Sequence, residues 1–250
     1  MTGYSLIIAK IWPEHRGSGC TFISVLFLSL VILLLQAQAG RAETFICEDN
    51  RFIEITSSDE RDKELICEAA QKALVFLAAY DLHLKRPVSI EIVNGLIDSN
   101  GYIAFGSYNR RLNQIRLMSY QAIINSEQPP QMYDQPFDLE HYQGAVAHEI
   151  VHAVFEHNSR DIPNQHSNAT QEYLAHATQL GVLNAQRRQQ IIAAQDVGAW
   201  ESGDSISEIY MAFNPAGFAV KSYLHLTQLE DPLPFIKILL NHSWFYLSVP

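Results

Sequence analysis

Asp138-Leu139-Glu140-His141-Tyr142-Gln143-Gly144-Ala145-Val146-Ala147-His148-Glu149-Ile150-Val151-His152-Ala153-Val154-Phe155-Glu156-His157 is the stretch on which the fold turns. Asp138 is a natural N-cap, and the pattern after it predicts a helix to about His157. Val146, Ile150, Val151 and Val154 recur at helical spacing and give the segment an apolar face to bury. His148 and His152 stand four apart, so a helix brings both imidazoles to one face, one turn apart, where they can share one metal ion. Glu149 is rotated away from them, toward the position of a water polarised by that metal, and its carboxylate can take the water's proton. Glu156 and His157 read as the polar or cationic end of the helix rather than as ligands.

An open catalytic zinc site wants three protein ligands. Position 158, where metzincins place a third His, is asparagine, which excludes that class. Glu172 is the better candidate. It opens a second predicted helix, Asn168 to Leu183, and a helix–loop–helix hairpin would bring it back to the first.

The elements before this pair have another character. Arg51 to Thr56 reads as a strand carrying Phe52, Ile53 and Ile55, and Ser57 with Glu60 forms a capping-box pair opening a helix to about Tyr80. Val88 to Val93, Tyr102 to Tyr108 and Gln114 to Ser119 read as further strands. Helices are predicted again at Ala185–Gln195, Ser205–Phe213, Gly217–Leu226 and Pro234–Leu240. The resulting class is α+β: a small mixed sheet with an N-terminal helix, then the His helix, the Glu172 helix and further C-terminal helices.

Composition narrows the function. The chain has 250 residues and a formal net charge of −10, with no basic cluster longer than two residues, so nucleic acid is not an expected partner. Lys10, His15 and Arg16 precede an uncharged apolar run, Phe22 to Leu35, and small residues follow at Ala37-Gln38-Ala39 and Ala42. This is the layout of a secretory signal over residues 1–42, cleaved after Ala39 or Ala42. The run falls short of the about 20 apolar residues a spanning helix needs, so no stable membrane span is expected after cleavage. The expectation is an exported protein, periplasmic or secreted, with residues 43–250 as one domain. Cys47 and Cys67 remain as an even pair and predict one disulfide.

With His148, Glu149, His152 and Glu172 in register, the sequence resembles the gluzincins, the thermolysin-like HExxH…E branch of zinc peptidases, and is closest to small, uncharacterised secreted bacterial members. The offset from His148 to Glu172 is the one thermolysin has. The resemblance covers about residues 45–183 and implies a zincin-like fold with one Zn2+ per chain on His148, His152 and Glu172. It also implies Glu149 as general base, a peptide or protein substrate, and Tyr102–Gly106 as the edge strand that pairs with it. Two departures stand out. His176 occupies the position of thermolysin's orienting Asp, where it would accept a hydrogen bond from His148 or act near the substrate. The oxyanion-stabilising Tyr and His have no aligned counterpart, which leaves Tyr173, Tyr210, Tyr223 and His225 as candidates. The alternatives to a peptidase are a zinc-binding but inactive module acting in binding or inhibition, and a zinc hydrolase of another amide, such as one of the cell wall.

Overall fold

Alternating buried positions in three strands build one face of the main sheet. Ile53 and Ile55, Val88 and Ile90, and Ile115 and Leu117 are all buried, each contributing roughly 1.5–3 kcal/mol through burial. They belong to β2 (Asn50–Ser57), β3 (Val88–Val93) and β7 (Gln114–Met118), which run parallel. β1 (Glu43–Cys47) pairs antiparallel with β2, and β6 (Gly106–Asn109) pairs antiparallel with β7. The order is β1-β2-β3-β7-β6, so β6 forms an edge of this five-stranded sheet. β4 (Ile97–Ser99) with β5 (Tyr102–Ala104), and β8 (Gln131–Met132) with β9 (Gln135–Pro136), are separate hairpins. The computed structural model describes residues 43–57, 59–95, 97–99, 102–126, 130–159, 168–201 and 206–241. The expected signal segment at 1–42 lies outside them.

The helices are α1 (Glu60–Ala78), α2 (Tyr120–Ile124), α3 (Leu139–Asn158), α4 (Asn168–Gly181), α5 (Ala185–Gln195), α6 (Glu208–Phe213), α7 (Pro215–Gln228) and α8 (Leu233–Leu240). The arrangement is α+β. α1 lays Ile66, Ala69, Ala70, Ala73 and Leu77 into the core and packs on β2 and α3. α3 in turn packs on α4 and runs beside β6, and α4 packs on α7. Burial on nearly all sides explains why Ala145, Val146, Ala147, Ile150, Val151, Ala153, Val154 and Phe155 are all buried. Cys47 of β1 and Cys67 of α1 are joined by a disulfide, tying the sheet edge to the first helix. Among the described residues no helix is long and apolar enough to cross a membrane.

Two expectations are corrected. The cap of α1 is Asp59, which accepts from the Arg61 N–H at 2.9 Å; Ser57 is still in β2, paired with Glu43, so it cannot also cap the helix. The single strand expected over Tyr102–Tyr108 is two. The chain turns at Phe105, whose carbonyl accepts from the Met118 N–H at 2.8 Å. Tyr102–Ala104 pairs with Ile97–Ser99, and the edge beside α3 begins only at Gly106, not at Tyr102.

Candidate metal centre

The start of α3 is fixed from two sides. Asp138 accepts from the His141 N–H at 3.1 Å and from Arg187 Nη2 of α5 at 2.6 Å. Arg187 Nε also lies 3.0 Å from Glu140. From this anchor α3 carries His148 and His152 on one face, their ring centroids 5.0 Å apart.

α4 brings the third residue. Glu172 Oε2 lies 3.2 Å from His148 Nε2, and Oε1 lies 3.7 Å from His152 Nε2. One ligand atom from each of the three falls within 4.8 Å of the others, the one such grouping of His, Cys, Asp and Glu among the described residues. A tetrahedral zinc site wants donors roughly 3.3 Å apart, a spacing that small side-chain adjustments would reach. Two imidazoles and one carboxylate are a donor set that zinc accepts.

The electrostatics fit a cation. Burial alone would raise Glu172, but the surrounding imidazoles, His148 first, hold its carboxyl well below the usual carboxylate range. Burial works against charge on His148, yet the facing Glu172 carboxylate holds its pKa up to about 9. For His152, burial prevails over Glu172 and lowers the pKa to about 4. The site thus presents an ionised carboxylate against imidazoles of which His152 stays neutral.

Glu149 lies beside the three. Burial first, then the nearby Glu172 charge, pushes its carboxyl up to about 7, with His148 opposing. Its side chain runs under the edge strand. A Cβ added at Gly106 would come within 2.6 Å of Glu149 Cγ, so only a residue without a side chain fits there.

The other named candidates separate. His176 does come to the group: its Nε2 is 3.7 Å from Glu172 Oε2, and its ring centroid is 4.8 Å from that of His148. It does not take the expected hydrogen bond. His148 Nδ1 is instead 3.0 Å from Gln179 Oε1, while His176 Nδ1 is buried without a partner among the described residues. Burial and then His148 lower the His176 pKa to about 3. Tyr173 and His225 are occupied with each other, Oη to Nδ1 at 2.7 Å. Tyr210 packs edge-on against Trp200 at 5.1 Å, and Tyr223 lies 5.3 Å beneath the Arg188 guanidinium. Among the described residues neither makes a hydrogen bond to His148, His152 or Glu172. Of the polar or cationic helix end expected at His157, the polar alternative is the one this environment favours. Burial first, then Arg86 and Lys85, lowers His157 to about 4. It is held between the Lys85 N–H, donating to Nδ1 at 3.3 Å, and Asn113 Oδ1, 2.8 Å from Nε2.

Gln179 and Gly106 are the residues that sequence reading missed. Gln179 lies two turns after Glu172 on the same face, a spacing that offered a signal. Gly106 offered none, because its role is a missing side chain.

The chain belongs to the DUF6639 family, described as a family of unknown function, whose model matches residues 53–249. No curated protein and no solved structure matches it.

Proposed function

We propose that this member of the DUF6639 family is an exported zinc-dependent peptidase of the gluzincin type, with a zincin-like domain. One observation carries the reading: Glu172, from a separate helix, meets His148 and His152 of α3, with Glu149 packed against Gly106 of the edge strand and within electrostatic reach of His148 and Glu172. The disulfide supports an oxidising compartment.

His148 through Nε2, His152 through Nε2 and Glu172 through its carboxylate would hold the ion. Bound there, zinc would polarise the scissile carbonyl and acidify the attacking water. Glu149 accepts one proton from that water as its oxygen attacks the carbonyl carbon. It then delivers the proton to the amide nitrogen as the C–N bond breaks, leaving a carboxylic acid and an amine. A carboxyl with its pKa near 7 is suited to both halves of this exchange. The edge strand Gly106–Asn109 offers main-chain groups to an extended peptide, and Gly106 lets that backbone pass close to the base.

The test is cleavage of a diverse peptide pool, read by mass spectrometry, by wild type and Glu149→Gln. Wild type should produce new termini, and the variant none while retaining zinc. Equal cleavage by both would exclude Glu149 as the base. No cleavage by zinc-loaded wild type would favour a binding module.

A further inference from the structure

Gln179 is buried and held at both ends of its amide. Its Oε1 is 3.0 Å from His148 Nδ1, and its Nε2 donates to Met132 Sδ at 3.1 Å. A thioether sulfur accepts hydrogen bonds and cannot donate. The NH2 end of the amide therefore faces Met132 and the carbonyl faces His148. A carbonyl in turn only accepts, so His148 Nδ1 must carry the proton. In the neutral imidazole that a metal needs, this leaves Nε2, the nitrogen on the Glu172 side, as the ligand atom.

Three elements converge to make this arrangement. α4 supplies Gln179. The β8–β9 hairpin supplies Met132, next to a two-residue turn, Tyr133–Asp134, with φ of 55° and 60°, the left-handed geometry that tight hairpins use. α3 supplies room: Gly144 lies one turn before His148, and a Cβ there would stand 3.3 Å from Gln179 Cγ.

We infer that Gln179 is a positioning residue for the metal centre, selecting Nε2 of His148 as the ligand atom, and that Met132 fixes the direction of its amide. The inference rests on the zinc reading above. A neutral acceptor does this without adding negative charge beside Glu172. It stands seven residues after Glu172, on the same helix face, and His176 at the fourth residue takes no part in the bond.

The test uses Gln179→Leu, which removes the acceptor at similar size, Gln179→Glu, which keeps one, and Met132→Leu. Zinc affinity is read by chelator competition. The hydrogen-bonded Nδ1–H of His148 is read by proton–nitrogen NMR on the zinc-free protein. Gln179→Leu should bind zinc about 10- to 100-fold more weakly, the usual effect of losing an orienting partner, and should lose the slowly exchanging Nδ1–H signal. Gln179→Glu should keep both, and Met132→Leu should fall between. A merely structural role would weaken both Gln179 variants alike. The inference is overturned if Gln179→Leu binds zinc within about twofold of wild type, below the range such partners show. It is equally overturned if the wild-type Nδ1–H signal is absent. Should wild type take up no zinc, the metal reading fails, and the Nδ1–H signal still decides the bond.

Discussion

Glu149 occupies the space where a side chain at position 106 would begin. A Cβ built on Gly106 would lie 2.6 Å from Glu149 Cγ, 2.9 Å from its Cδ and 2.8 Å from Leu117 Cδ2. The proposed base and the edge strand are thus fitted to each other, and α3 sits as close to β6 as a backbone without a side chain allows. Gly106→Ala must push Glu149 aside. Peptide cleavage should fall about 100-fold, the scale of a 1 Å misplacement at a reacting group, while zinc content stays at the wild-type level. Unchanged cleavage would mean that Glu149 is free to move without loss.

The Cys47–Cys67 bond closes a loop with a sequence separation of 20 residues. It constrains the unfolded chain and should stabilise the fold by about 3 kcal/mol. Replacing both cysteines by Ser should lower the urea midpoint accordingly. The zinc affinity of the folded variant should not change, since the bond joins β1 to α1 and neither carries a ligand. A variant of equal stability would place the bond outside the energetics of the fold.

His157 gives stability a definite sign with pH. Its imidazole is lowered from 6.5 to about 4 in the folded chain, by burial first and then by Arg86 and Lys85. Between these values the unfolded chain binds the proton and the folded chain does not, so stability rises with pH across that window. The contribution is intact above about 6.5 and is lost as pH falls toward 4. Protonation also destroys the acceptor that the Lys85 N–H uses. Urea unfolding of wild type and His157→Gln across this range should show a steeper pH dependence for wild type, by up to one proton. Parallel curves would remove His157 as a cause.

Much of this was legible in the sequence, for physical reasons that differ by residue. His148 and His152 could be paired because helical spacing is rigid, and α3, α4 and α5 follow their expected bounds within a residue or two. Glu172 could be placed beside the histidines because a helix–loop–helix hairpin returns the start of the second helix to the first. The edge strand was placed too early because Phe105 alone separates Tyr102–Ala104 from Gly106–Asn109, and their pairing with different partners is what divides them. The strands β8 and β9 are two residues long and have no periodicity to read, so Met132 could not be connected with Gln179. Sequence left His157 as a polar or cationic helix end, without deciding between them, because the residues that hold it are distant in sequence.

Metal content tests the central claim most directly. Wild-type protein purified after zinc loading and dialysis should carry close to one zinc per chain by elemental analysis. The double variant His148→Ala/His152→Ala should carry none while keeping its far-ultraviolet circular dichroism. A metal-free wild type, or a double variant that holds zinc as well as wild type does, would contradict the assignment of His148, His152 and Glu172 as the ligands.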